Sequence, residues 1–497
     1  MEDFSPNPLL WACSIVLAVG ILGYVYIIPH SHKLDHIPTV GSSSLLGSYW
    51  SALKFVNNGF QTVQQGFDQY QTGVFKISTL IGWTVILNPS HIDEVAKLPI
   101  DVMSFQDAVP RMIQVEYTLG PEFYHNPYHV TMIRIQFNRN LSALLSDMRD
   151  EMIVTLGEIL DLKPNEWKSV PVAETTQILI SRMFNRIMVG LPLCRDPDWL
   201  DLTMKVTIAV IIEGLLIGLF PDFMAPLAAK FITKTSLRVR RGAKHLDDII
   251  RDRQRYMQEC GEEWADKPND ILQWCLDHGE ETTVPLLSTR LLGFAFVSML
   301  TSSTAFAKVL CVLAKNPQYV QPLREEVKMA INEHGWTKGG IAEMRKVDSF
   351  IKETLRFQGG SAYRVERKTR TDVTLSDGTF LPKGTHVAFA SHAIEHDGRN
   401  YENPDIFKPF RFVDLQDKCG DPSRYQLASL SHDSLLFGLG KSACPGRFLA
   451  AMIQKALLAH VLVTYDLKPE HLPESRPING VVRTSRSSKI LFRKRLD

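Results

Sequence analysis

The stretch Phe437-Gly438-Leu439-Gly440-Lys441-Ser442-Ala443-Cys444-Pro445-Gly446-Arg447 decides how the rest of the chain is read. It is a glycine-bearing loop with one cysteine, followed at once by an apolar-periodic segment expected to be a helix from about Phe448 to Leu462. Gly438, Gly440 and Gly446 let backbone pass close to a flat ligand, or adopt positive φ, where a Cβ would clash. Pro445 fixes the backbone just past the thiol and suits a helix start, where no N–H is needed. The sulfur is thereby placed at a helix N-terminus, where free N–H groups and the dipole favour thiolate over thiol. A lone Cys-Pro-Gly is also what a buried cysteine in a glycine turn looks like. The full spacing, Phe-x-x-Gly-x-x-x-Cys-x-Gly, is much more specific.

Working outward, the composition excludes several classes. Lys+Arg 55 against Asp+Glu 54 leaves almost no net charge, so nothing points to nucleic acid. Seven cysteines are scattered without a Cys-x-x-Cys pair, which argues for reduced thiols and against both zinc and a disulfide framework. Leu9 to Ile28 is a run of twenty residues with only Ser14 clearly polar, enough to span about 30 Å of hydrocarbon. No small-residue cleavage site is obvious after it, so an uncleaved anchor is expected. Glu2 and Asp3 precede it and Lys33 follows, which by the positive-inside tendency places the bulk of the chain on the cytosolic side. The expected organisation is a short lumenal N-terminus (1–8), a transmembrane anchor (9–28), a hinge (29–45) and one cytosolic domain (46–497).

Within that domain the texture is mainly helical with smaller β-sheets. Val74 to Leu87 alternates like two strands with Gly82 near the turn, and Ser376-Asp377-Gly378 reads as a hairpin turn in which Asp-Gly supplies positive φ. Val387 to Ala390 forms another strand. Val206 to Phe220 is apolar but carries Glu213, and is either a core helix or the cap of a greasy cavity touching the bilayer surface. Thr235 to Glu259 reads as a solvated charged helix. Val284 to Leu313 has hardly a charge between Arg290 and Lys308, the mark of a buried helix, yet holds hydroxyls at Ser298, Thr301, Ser302, Ser303 and Thr304. Such hydroxyls often only bond back to a carbonyl one turn earlier. Glu353 and Arg356 lie three apart on a helix expected over Ile341 to Phe357, the spacing of an ion pair.

A thiolate held by N–H donors in an aromatic-walled loop is a good axial ligand for haem iron. The loop resembles the haem-binding loop of the cytochrome P-450 family, with Ser442 where the family usually has Arg or His near a haem propionate. The likeness extends over essentially the whole chain. Glu353-x-x-Arg356 resembles the family's buried pair, with Arg411 of Pro409-Phe410-Arg411-Phe412 as its third partner. Val297-Ser298-Met299-Leu300-Thr301-Ser302 resembles the oxygen-side helix, with Leu300 in place of its acid. Ile37-Pro38-Thr39-Val40-Gly41, Ser104-Phe105-Gln106-Asp107 and Asn316-Pro317-Gln318-Tyr319 look like fungal members of secondary metabolism, among them terpenoid oxidases.

The resemblance implies a fold with a large helical haem domain and a β-rich lobe. It implies haem b with Cys444 as its metal ligand, Phe437, Gly438, Arg134 and Arg367 as cofactor-binding residues (Arg364 as an alternative to Arg367), and Thr301 as the catalytic hydroxyl. It implies oxygen insertion into a C–H bond of a hydrophobic molecule, with electrons from NADPH through a membrane-bound reductase, cytochrome b5 as a second partner, and an endoplasmic-reticulum location. Lys441 and Arg447 are expected docking charges. Leu300 keeps open a haem-thiolate isomerase, dehydratase or peroxygenase that needs no reductase. A non-catalytic haem or lipid carrier is a further alternative.

Overall fold

The computed structural model describes residues 33–495 apart from 72, 109–112, 262–263, 265 and 476. The expected anchor at 9–28 lies outside the described residues. Part of the expected hinge is docked: Thr39–Val40 (β1) pairs in parallel with Lys76 and Ile77, and Ile37 and Val40 are buried. Ser44 then caps the next helix, its hydroxyl accepting from Gly47 N.

A six-stranded sheet forms the β-lobe. Its members are β1, Phe75–Thr79 (β2), Gly82–Leu87 (β3), Met103–Ser104 (β4), Arg364–Thr369 (β5) and His386–Phe389 (β6), in the order β1-β2-β3-β6-β5-β4. The Ser376–Gly378 turn closes a hairpin pairing Val373 with Leu381 and Thr374 with Phe380. Only Gly378 takes a positive φ (88°), so Asp377 does not share the left-handed role expected of it. Asp377 instead accepts from Thr379 N at 2.8 Å, stiffening the turn through its side chain.

Seven helices frame the larger, helical part: Tyr128–Leu160 (α1), Val172–Val189 (α2), Pro197–Gly218 (α3), Thr235–Cys260 (α4), Val284–Lys315 (α5), Arg345–Phe357 (α6) and Arg447–Thr464 (α7). Among the described residues α5 and α7 are long and apolar enough to cross a membrane, yet 50% and 72% of their most apolar windows are buried inside the protein, as befits core helices. The charged α4 is solvated along most of its length and buries Gly242, Leu246, Ile250 and Arg253.

The long helix α5 is held near both ends by its own cations. At its start, buried Arg290 pairs with Glu281 and donates to His129 Nδ1 (2.7 Å) and to the carbonyl of Asn126 (3.0 Å). Phe123 lies flat against this turn because position 293 is glycine, where a Cβ would come 2.1 Å from the ring. Two turns from its end, buried Lys308 donates to the carbonyl of Gly359, and burial pushes its ammonium pKa down to about 8.

Several buried titratable groups make stability depend on pH. Burial first pushes His129 and His392 down to about 3 and His460 down to about 4, with Arg290 second for His129, His396 and then Arg356 for His392, and Arg149 for His460. Burial pushes Glu366 and Glu395 up to about 7. Below pH ~6.5 the unfolded chain binds protons that the three folded histidines refuse, at about 1.4 kcal/mol of lost stability per pH unit each. The two carboxyls act oppositely, because the folded state holds their protons more tightly between about pH 7 and pH 4.5. Burial lowers His396 as well, so the histidines outweigh the two carboxyls and stability is expected to fall from pH 6.5 to pH 5. Urea unfolding across this range checks it, and a Glu366→Gln/Glu395→Gln chain, which loses the opposing carboxyls, should show a clearly steeper fall.

Candidate functional site

The cysteine loop is a closed turn. Cys444 N donates to the carbonyl of Phe437 at 2.8 Å, Ala443 N to Gly440 at 3.2 Å and Gly438 N to Leu435 at 3.1 Å. Gly438 and Gly440 have φ of +72° and +63°, so both need the left-handed freedom that glycine has. Gly440 also passes the helix Ile92–Lys97, where a Cβ would stand 2.5 Å from the carbonyl of Ala96. Gly446 has neither requirement: its φ is −92° and a Cβ would be in ordinary contact with Phe137. Its service is to the thiol, because its N–H points at the Cys444 sulfur.

α7 begins at Arg447 with Gly446 as its cap, so the sulfur does sit at a helix N-terminus. The expectation of a favoured thiolate needs correction for the unliganded thiol. Burial pushes the Cys444 pKa up, and the Gly446 N–H and the Arg447 charge only partly offset this. A half-buried sulfur with an N–H donor and a neighbouring guanidinium is held neutral on its own, and can ionise when a cation is bound to it.

Three arginines named from the sequence stand around this loop and the strands packed on it. Arg134 on α1 donates to the carbonyl of Lys441 at 3.1 Å, while Phe137, three residues further along α1, faces Gly446. Arg364 on β5 donates to the carbonyl of Leu436 at 3.1 Å. Arg367, also on β5, is buried with its guanidinium 5.6 Å from the centre of the Phe105 ring, and burial pushes its pKa down to about 10. Among the described residues none of the three closes an ion pair with an acidic side chain. Arg134 is exposed, but Arg364 is half-buried and Arg367 buried, and a buried cation without an ion-pair partner is costly. Their chemistry fits a ligand that brings carboxylates of its own, as haem b does.

Behind the loop stands the charged triad. Arg356 grips Glu353 with two bonds of 2.7 and 2.9 Å, and Arg411 reaches the same carboxylate at 3.1 Å. Arg411 also donates to the carbonyls of Glu402, Asn403 and Ile406, and Arg356 to those of Glu395 and Pro404. The triad thereby fixes the segment that leads toward the cysteine loop, and its role is structural.

On α5 the middle turns break the burial of the helix. Val297 is 48% exposed and Thr301 is exposed, with Phe296, Leu300, Thr304 and Ala305 half-buried around them, while Ala295, Met299, Ser302 and Ser303 are buried. The i, i+4 spacing of the open positions makes one uncovered stripe. α7 lies against this same stretch, with Gln454 Nε2 donating to the carbonyl of Ser302 at 2.9 Å. Ser298 is committed to the carbonyl of Phe294 at 2.6 Å and Ser303 to that of Leu300 at 3.1 Å. Thr301 makes only a long contact, 3.4 Å, to the carbonyl of Val297, so the helix holds its exposed hydroxyl loosely.

Sequence reasoning missed the network that seats α5. Arg290, Glu281, His129, Tyr128 and Asn126 come from three separated segments, and the only sign of it was an arginine in an apolar helix.

A half-buried thiol in a glycine turn, arginines without an acidic ion-pair partner among the described residues and an apolar stripe with a loosely held hydroxyl fit a flat metal-bearing ligand that carries carboxylates. A sequence model described as Cytochrome P450 matches residues 127–492. The chain is 38% identical to cytochrome P450 monooxygenase 71 of Postia placenta over 96% of this chain and 97% of that one. It is 35% identical to cytochrome P450 monooxygenase 151 of the same fungus, covering 98% and 99%. It is 30% identical to the ent-kaurene oxidase of Gibberella intermedia, covering 94% of this chain and 88% of that one. The chain belongs to the cytochrome P450 family, whose members are haem-thiolate monooxygenases.

Proposed function

We propose that this chain oxidises C–H bonds of a hydrophobic secondary metabolite of the terpenoid class, using dioxygen and electrons passed from NADPH by a membrane-bound reductase. In this reading Cys444 holds the haem iron, Phe437 and Gly438 shape the loop beside it, and Arg134 and Arg367 meet its carboxylates. The catalytic domain faces the cytosol at the endoplasmic reticulum, tethered by residues 9–28, with cytochrome b5 as a second electron donor.

The observation that carries the proposal is the uncovered stripe on α5, apolar at Phe296, Val297, Leu300 and Ala305 and carrying the loosely held Thr301 hydroxyl. An apolar wall excludes water and orients a substrate that has no polar handles. The haem, when bound, supplies oxygen activation and electron transfer. The sulfur of Cys444 tunes that chemistry by donating electron density from its side. Thr301 keeps a proton at its Oγ1 and offers it toward the open side, a task for which Ser298 and Ser303 are too firmly tied to carbonyls. The resemblance to an ent-kaurene oxidase supports a terpenoid substrate.

Product analysis of membranes holding this chain, a reductase and a panel of terpenoids tests the proposal. Products that require NADPH and dioxygen support it. Conversion without either points to the isomerase, dehydratase or peroxygenase alternative that Leu300 keeps open. A Thr301→Ala chain is expected to keep consuming NADPH while its product yield falls by roughly a hundredfold and peroxide accumulates, which a paired assay of cofactor and product reads directly.

A further inference from the structure

We infer that Gln454 is a positioning residue for the proposed reaction: from α7 it holds the backbone of α5 beside Thr301, and so sets that hydroxyl relative to the sulfur of Cys444. The inference rests on the roles given above to Cys444 and Thr301 and adds the residue that ties their two helices together.

α7 leaves the cysteine turn at Arg447, and Gln454 stands seven residues on, about 10 Å along the axis. It is buried, and Ala451 and Leu458, one turn to either side, are buried and apolar. Three buried residues of α7 are polar: Gln454, Lys455 and His460. Lys455 turns to Asp348 and to the carbonyl of Ala342, and His460 to the rings of Trp336 and Tyr465. Gln454 alone of the three turns to α5. An amide in an apolar seam is costly unless it is bonded. Gln454 Nε2 donates to the carbonyl of Ser302 at 2.9 Å, while its buried Oε1 has no partner among the described residues. Chemistry dictates this orientation, since only the NH2 end can meet a carbonyl. The side chain is thus satisfied at one end, and that end serves α5.

Ser302 follows Thr301 directly. From Arg290 to Lys308 α5 runs eighteen residues, about 27 Å. Between those two clamps, among the described residues, the bond from Gln454 is the one hydrogen bond that reaches α5 from another element. The Thr301 hydroxyl is steered only weakly by its own helix, at 3.4 Å from the Val297 carbonyl, so its place follows the backbone that carries it. Gln454 braces that backbone against the helix that grows out of the sulfur turn. A displacement of about 1 Å at a reacting group can cost about a hundredfold in rate, so the brace matters more to the chemistry than to the fold.

Infrared spectra of the reduced holoenzyme under carbon monoxide test this, because the C–O stretch responds to a hydroxyl beside the bound gas. Thr301→Ala removes the hydroxyl and sets the reference shift. Gln454→Met keeps the volume and deletes the donor. It should move the band by at least roughly half of that shift, with haem content and the red-shifted Soret band unchanged. In a Thr301→Ala chain the same change should move the band by less than roughly a tenth of it, because the effect runs through the hydroxyl. Gln454→Glu should match the starting protein at low pH, where a protonated carboxyl still donates to the carbonyl, and depart from it at high pH. That titration gives the answer if Gln454→Met does not hold haem. An unmoved band in Gln454→Met, an equal shift with and without Thr301, or a Gln454→Glu band that ignores pH overturns the inference. Absence of the red-shifted Soret band in the unsubstituted protein, or a stretching band that Thr301→Ala leaves in place, overturns the reading beneath it instead.

Discussion

A Glu353→Ala chain is expected to accumulate without haem, or not to accumulate folded at all. Glu353 is wholly buried, and its two carboxylate oxygens satisfy Arg356, Arg411 and the N–H of Lys408 at 3.0 Å. Removing it leaves two guanidinium groups buried and uncompensated, at a cost of about 3–5 kcal/mol. A domain with roughly 5–15 kcal/mol in hand survives that poorly, and the strain falls on the segment leading to the cysteine turn. Circular dichroism against haem content of the purified chain reads the result. Glu353→Gln should fare little better, because an amide offers one acceptor where two are used. Folded, haem-replete Glu353→Ala protein would show that the triad is not the keystone described.

Cys444→Ser carries the second large effect. The serine hydroxyl can occupy the turn, since the Phe437 carbonyl bonds to the backbone N–H of residue 444 and not to its side chain. The fold should therefore persist, with circular dichroism unchanged. An alcohol does not ionise at the end of a helix as a thiol does, and gives a much poorer anionic ligand. The reduced carbon monoxide form should lose its red-shifted Soret band, and product formation should fall by at least about a hundredfold. Retention of both by the serine chain would remove the sulfur from the account.

The parts of this architecture that could be read from the sequence are those where chemistry is local. The cysteine turn, the Glu353–Arg356 spacing and the hairpin at Ser376–Gly378 each occupy a few consecutive residues whose types dictate the geometry. Arg411 as the third member of the triad required a resemblance, because 55 residues separate it from Arg356. The seating of α5 was not legible, since Arg290 finds His129 and Asn126 only after α1 has folded against it. Nor was a bulge in β5, where Val365 takes a φ of +59°: nothing in Arg364-Val365-Glu366-Arg367 announces a left-handed valine. Gly446 was read for its backbone freedom, whereas its N–H is what the site uses. The thiol's ionisation was misjudged for a related reason, since desolvation is set by everything packed around the sulfur and not by the turn alone.

The two anchors of α5, Arg290 near one end and Lys308 near the other, have an evolutionary corollary. A beam clamped at its supports keeps its line whatever is painted on the span between them. Side chains at 296, 297, 300 and 305 can thus be exchanged for larger, smaller or differently shaped ones while the backbone course through Thr301 stays put. Diversification toward new metabolites would then proceed by repainting that span, leaving the clamps, the triad and the sulfur turn as inherited hardware.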